Sequence, residues 1–263
     1  MSRLRRPSSE RRMMERVGIV VPTLGARPTW LADAVRSVEQ QGDDIDLVIV
    51  APPEAVPSLR EQFPGRLVIG EAEKGIVPAI ERGWEALKEC AIVSWLGDDD
   101  RLTERSVEIA RRCLEAHPDA AMVYGDYEHL NERDEHRVTV RPGHLAIRWL
   151  RLGQNFISQP GSLYRRAAIT ETGGLSRTLH LAFDVQLHAR LGERGAVYCP
   201  HLLAQVRIHP GRLTISEQSR SRAEIEEAVW GPEPRALVAR ALARGKRLWT
   251  VGGRVYYRFR RTY

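Results

Sequence analysis

The chain has 263 residues, 43% of them hydrophobic, 28% charged and 6% aromatic, with a formal net charge of +6. That length suits one large α/β domain or two small ones, and the mixed composition excludes collagen-like and wholly disordered chains. The longest apolar runs are strand-sized, so no segment is expected to span a bilayer as a helix.

Residues 1–16 form a basic tail, with six arginines against two glutamates and no apolar stretch behind them, so no secretory signal is expected. An apolar run at 17–21, ending at Pro22, reads as a buried strand. Residues 28–41 read as a helix, with Pro28 near its start and Leu31, Ala34, Val35 and Val38 on one face. A strand at 46–50, a helix at 54–63, a strand at 66–69 and a helix at 75–88 follow. A fourth strand at 91–96 runs straight into Gly97-Asp98-Asp99-Asp100, and a helix at 104–116 and a strand at 120–125 come next. Beyond that the pattern loosens: a polar loop with an edge strand over 126–141, and helices at 144–152 and 183–193.

The last stretch, 235–263, carries nine basic residues and no acid, which leaves the body between the two tails at −7. Arg240, Arg244 and Arg247 recur at helical spacing opposite Leu237, Val238, Ala241, Leu242 and Leu248, and Trp249, Tyr256, Tyr257 and Phe259 follow. Such a segment suits an anionic membrane surface, at roughly 1 kcal/mol per cation; the alternative is a solvated terminal helix packed on the domain. Nucleic acid is not an expected partner, because the acidic body opposes approach to a duplex. Cys90, Cys113 and Cys199 are odd in number and widely spaced, so neither a disulfide framework nor a zinc site is expected. A cytoplasmic protein, peripheral at the inner face of a membrane, is the expectation.

Alternating strands and helices imply a mostly parallel, doubly wound α/β sheet, whose ligands bind beyond the carboxyl ends of the strands. Residues 22–25, 51–53 and 97–100 then share one rim. Three successive aspartates there are costly if nothing offsets them: two carboxylates about 5 Å apart repel by about 3 kcal/mol at an effective dielectric near 20. A divalent cation, Mn²⁺ or Mg²⁺, turns that repulsion into attraction and completes its shell with substrate phosphates. The competing reading is a cap, from Asp99, Asp100 or Thr103, for the helix near 104. There is no Walker-type phosphate loop and no GxGxxG after the first strand.

These pieces resemble the inverting glycosyltransferases of family 2, which have the GT-A fold. The resemblance rests on Val20-Val-Pro-Thr-Leu24, Ala79-Ile-Glu-Arg-Gly83, Trp95-Leu-Gly-Asp-Asp-Asp-Arg-Leu102 and Asn155-Phe-Ile-Ser-Gln-Pro-Gly-Ser-Leu-Tyr-Arg-Arg166. It continues through Gly173-Gly-Leu, Phe183-Asp184-Val-Gln-Leu187 and Val206-Arg-Ile-His-Pro210, all in family order over roughly 17–216. It implies a metal-dependent hexosyltransferase that moves a sugar from a nucleotide-diphosphate donor, by default a UDP-sugar, to a glycan or lipid-linked acceptor in cell-surface polysaccharide synthesis. Pro22, Thr23, Leu24 and Asp98 would border the donor. Asp99, Asp100 and His209 would hold the cation, and Asp184 would be the general base.

The chain departs from the family pattern in four places. Ala51-Pro52-Pro53 stands where an acid near the base is common, Gly97 where many members have Asp or Asn, Glu81 where Asn is common, and Phe183 in place of the acid before Asp184. The expected layout is a basic tail at 1–16, the glycosyltransferase domain at 17–216 and a basic extension at 217–263. A nucleotidyltransferase on a similar sheet, or an inactive relative that serves as a binding scaffold, are the alternatives.

Overall fold

The computed structural model describes residues 16–212 and 217–231. The basic tail at 1–15 and the amphipathic stretch over 235–263 lie outside the described residues. Strands β1 (Val17–Pro22), β2 (Ile45–Ala51), β3 (Leu67–Gly70) and β4 (Ile92–Trp95) alternate with helices α1 (Pro28–Glu39), α2 (Val56–Gln62) and α3 (Ile76–Ala86). After β4 come a two-residue strand β5 (Arg101–Leu102), helix α4 (Ser106–Glu115) and the hairpin β6 (Met122–Leu130) and β7 (His136–Val140). Helix α5 (Ala146–Arg151), strand β8 (Leu163–Arg165) and helices α6 (Arg166–Glu171) and α7 (Phe183–Glu193) follow, then the long β9 (Ala196–Arg207) and α8 (Gln218–Trp230).

The sheet runs β3-β2-β1-β4-β8-β6-β9-β5, with β7 paired to β6. The block β3-β2-β1-β4 is parallel, and β6 pairs in parallel with β9; β8, β5 and β7 run antiparallel to their neighbours. The sequence made the first block readable because its strands, covered on both faces, are continuous apolar runs. Alternation along β1 divides the core. Ile19 and Val21 face α1, α2 and α4, whereas Val20 faces α3 and the layer of α5, α6, α7 and α8. Gly83 lets α3 close on β1, since a Cβ there would lie 2.5 Å from Val20 Cγ1.

Three expectations change. The strand foreseen over 120–125 continues to Leu130, so the first part of 126–141 is strand rather than loop, while the expected edge strand is present as β7. Strand β9, which no pattern announced, lies between β6 and β5 and carries the chain back past the acidic turn. Cys113 of α4 and Cys199 of β9 are joined in a disulfide, while Cys90 is free and buried. That corrects the expectation of no disulfide. Among the described residues no helix is long and apolar enough to cross a membrane. Residues 217–231, assigned from sequence to the terminal extension, pack through α8 against α7 and α5.

Candidate active site

Strand β4 ends at Trp95, and the turn Gly97–Asp100 leaves the sheet beside the end of β1. At Gly97 a Cβ would lie 2.8 Å from Asp99 Oδ1, so a larger residue there would require the Asp99 carboxylate to shift. Each aspartate is then met from a different part of the chain.

Asp98 faces β1. Thr23 Oγ1 donates to Asp98 Oδ2 at 2.6 Å and accepts from the Gly25 amide at 2.9 Å, while Arg27 Nη1 stands 3.6 Å from Asp98 Oδ1. Burial raises the Asp98 carboxyl, Thr23 opposes that shift, and the Asp99 charge adds to it. Pro22 closes β1 and is buried, whereas Leu24 is 76% exposed on the rim.

Asp99 faces the segment after β9. His209 Nε2 is 2.8 Å from Asp99 Oδ2, and Arg212 Nη1 is 3.6 Å from the same oxygen. The His209 ring packs at 4.9 Å on Trp30, whose indole also meets Arg207 at 4.7 Å and Arg27 at 5.6 Å.

Asp100 is 3% exposed and turned away from the rim. The Arg207 amide and Arg212 Nη1 each donate to its Oδ1 at 3.0 Å, and Arg212 Nη2 reaches Oδ2 at 3.4 Å. Burial pushes its carboxyl up and Arg212 pulls it back. The side chain of Arg207, itself 1% exposed, donates to the Asp99 carbonyl at 2.9 Å and to Asp134 of the β6–β7 turn at 2.6 and 3.0 Å.

Among the described residues no group of three or more His, Cys, Asp and Glu side chains is arranged to hold a metal. The expected trio is therefore not assembled as such. Asp99 fits a divalent cation as a single carboxylate completed by substrate phosphates, and His209 beside it could join only once the 2.8 Å contact between them opens. Asp100 does not fit as a ligand, because both its oxygens are engaged. The capping alternative also fails: the helix begins at Ser106 with Arg105 at its N-cap and no side-chain cap bond.

Asp184 sits in the first turn of α7, where its Oδ1 accepts from the Val185 amide at 2.8 Å. The contact with the helix end that the sequence suggested is present. It does not keep the group acidic: burial pushes the carboxyl up to about 6, against the pull of the backbone amides and of Arg212. Arg212 pairs with Asp100 and Asp99 and also lies within the electrostatic reach of Asp184. Behind Asp184, Tyr164 Oη and His188 Nε2 lie 2.8 Å apart, both fully buried. Burial lowers His188 to about 3, so it is neutral.

The sequence missed Arg212, Arg27, Trp30 and Asp134. Arg212 had a signal in its position three residues after His209. The others had none, because their partners lie on distant strands.

No family model and no curated protein matches the chain. Solved structures do. S. aureus TarS is 12% identical, with a TM-score of 0.54 over 82% of this chain and 42% of that one. TarS 1-349 in complex with UDP-GlcNAc is 13% identical, with a TM-score of 0.57 over 77% of this chain and 61% of that one. The complex of TarS 1-349 with UDP is 13% identical, with a TM-score of 0.53 over 82% and 70%. The chain spans less than two thirds of the first two. Its fold is that of TarS.

Proposed function

We propose that the chain is a glycosyltransferase that takes its sugar from a nucleotide-diphosphate donor, by default a UDP-sugar. The observation that carries this reading is the return of β9, which sets His209 and Arg212 against Asp99 and Asp100 at the carboxyl end of β4, with Asp184 within the field of Arg212. The likeness to TarS, solved with UDP-GlcNAc and with UDP, supports it.

Pro22, Thr23, Leu24 and Asp98 border the nucleotide end of the donor. Asp99, with His209 beside it, would hold a divalent cation, Mn²⁺ or Mg²⁺, which when bound would neutralise charge on the diphosphate. Arg212 and Arg27 add fixed positive charge beside it. A sugar hydroxyl is a weak nucleophile, and Asp184, raised yet ionised at neutral pH, takes its proton as the oxygen attacks the anomeric carbon. The bond to the diphosphate breaks on the opposite face, the nucleoside diphosphate leaves, and the configuration inverts in one displacement.

The acceptor is a glycan or a lipid-linked glycan at the inner face of a membrane, as the basic ends suggest. The test is to incubate the chain with a panel of nucleotide sugars and Mn²⁺ and to follow nucleoside diphosphate release. Release with one donor, lowered about 10²- to 10⁴-fold in Asp184→Asn, supports the reading. No release and no donor-dependent thermal shift across the panel sinks it.

A further inference from the structure

Helix α7 lacks an N-cap of its own. Its N-cap residue is Ala182, preceded by His180 and Leu181, and no side chain of that stretch bonds the free amides. Exposed amides at a helix start are normally met by Ser, Thr, Asp or Asn at the cap. The chain entering the helix is instead held from 42 residues further along: Glu224 Oε2 accepts from the Leu181 amide at 2.6 Å and from the amide of the N-cap residue Ala182 at 3.2 Å, just ahead of the first turn. The other oxygen, Oε1, accepts from Arg220 Nε at 3.0 Å, and Glu224 is 7% exposed. A buried acid is costly unless its oxygens are satisfied, and both are.

Ala182 is the residue whose carbonyl takes the first rung of α7, from the Gln186 amide at 3.0 Å. Asp184 lies two residues beyond it. Whatever fixes Ala182 therefore fixes the height and rotation of Asp184. Glu224 is not needed to seat α8, because Ile225, Ala228 and Val229 already pack into the core shared with α7.

We propose that Glu224 is a positioning residue for Asp184: by accepting from the Leu181 and Ala182 amides it sets the start of α7, and so aims the base of the transfer reaction that the preceding reading assigns. A displacement of about 1 Å at a reacting group costs on the order of 10²-fold in rate.

The experiment measures kcat, donor KM and donor binding in the full chain for Glu224→Ala, Glu224→Gln and the double variant Glu224→Ala/Asp184→Asn. Glu224→Ala is expected to lose roughly 10- to 100-fold in kcat with donor KM and binding within about twofold, since the Thr23–Asp98 end is untouched. Glu224→Gln, which keeps an acceptor oxygen, is expected to recover most of it. In the Asp184→Asn background the Ala substitution is expected to cost nothing further, because there is no base left to aim.

Wild-type kcat in Glu224→Ala, or an equal loss with and without Asp184, overturns the proposal. If Glu224→Ala does not fold, Glu224→Asp, which keeps the charge and shortens the reach, is read in its place. Failure of both to fold makes Glu224 a stability residue and also overturns it. A wild-type chain that binds and turns over no nucleotide sugar is a different result, which removes the glycosyltransferase reading on which this rests.

Discussion

His209 Nε2 and Asp99 Oδ2 stand 2.8 Å apart although 110 residues separate them. The contact exists because β9 runs parallel to β6 and delivers residues 207–212 to the mouth of the sheet where β4 ends. The expectation is that Asp99→Ala and His209→Ala each lower turnover by about 10²-fold or more and shift half-saturation by Mn²⁺ upward. Titrating Mn²⁺ while following nucleoside diphosphate release checks this. Unchanged metal response in both variants would remove that pair as the cation's holders.

Asp184 gives a pH prediction with a defined sign. Its carboxyl titrates near 6 in the folded chain, so turnover should fall as pH drops through about 6, and Asp184→Asn should lose about 10²- to 10⁴-fold.

The same shift affects stability. The folded pKa lies above the ordinary value, so the stabilising, protonated form is fully present below about 4 and is lost as pH rises through about 6. At neutral pH the ionised group is a cost, and Asp184→Asn should gain on the order of 1–3 kcal/mol. The advantage should vanish near pH 4. Thermal melts of both chains across that range decide it, and an Asn variant less stable at pH 7 would refute the argument.

Arg207 is buried and holds the Asp99 carbonyl, Asp134 and the Trp30 face at once. Arg207→Leu should lower stability by about 2–4 kcal/mol, somewhat less than the loss of a fully buried pair because Asp134 is partly solvated. Urea unfolding reads this directly. Donor binding should fall with it, since the turn bearing Asp98 and Asp99 loses its brace.

The Cys113–Cys199 link closes a long loop between α4 and β9. Thiol titration of the denatured chain should find one free thiol without reductant and three with it. Cys113→Ser should cost about 4 kcal/mol, as the chain-entropy argument gives for loops of this size.

Vesicle sedimentation addresses the basic end. Removing 235–263 should abolish binding to anionic vesicles, and salt should weaken binding by the full chain. Equal binding by both chains would dismiss a membrane role for that stretch.

The parallel half of the sheet was readable because its signals are local. Val17 to Val21 is a buried strand by its own apolar run, α1 announces itself through Pro28 and one apolar face, and α7 begins and ends where its pattern does. The first arm of the hairpin β6–β7 was read as loop because Tyr127, Glu128 and His129 are polar and half-buried, although β6 there pairs with β7 on one side and β9 on the other. Strand β9 was missed because His201 and Leu202 break its alternation by facing outward.

What the sequence alone determined was the order of elements, the rim on which a ligand would sit, and the residue types able to act there. A strand and its following turn are local consequences of side-chain pattern, and Asp98, Asp99 and Asp100 could be named from it, whereas Asp184 was named from the family resemblance. Only the tertiary structure decided how those acids are used. Asp98 turns to Thr23, Asp99 to His209 and Asp100 to Arg212, while the amides leading into α7 turn to Glu224. The strength of a charge pair depends on distance and on exclusion of water, and both are set by strands far apart in the chain that meet only once the sheet has formed.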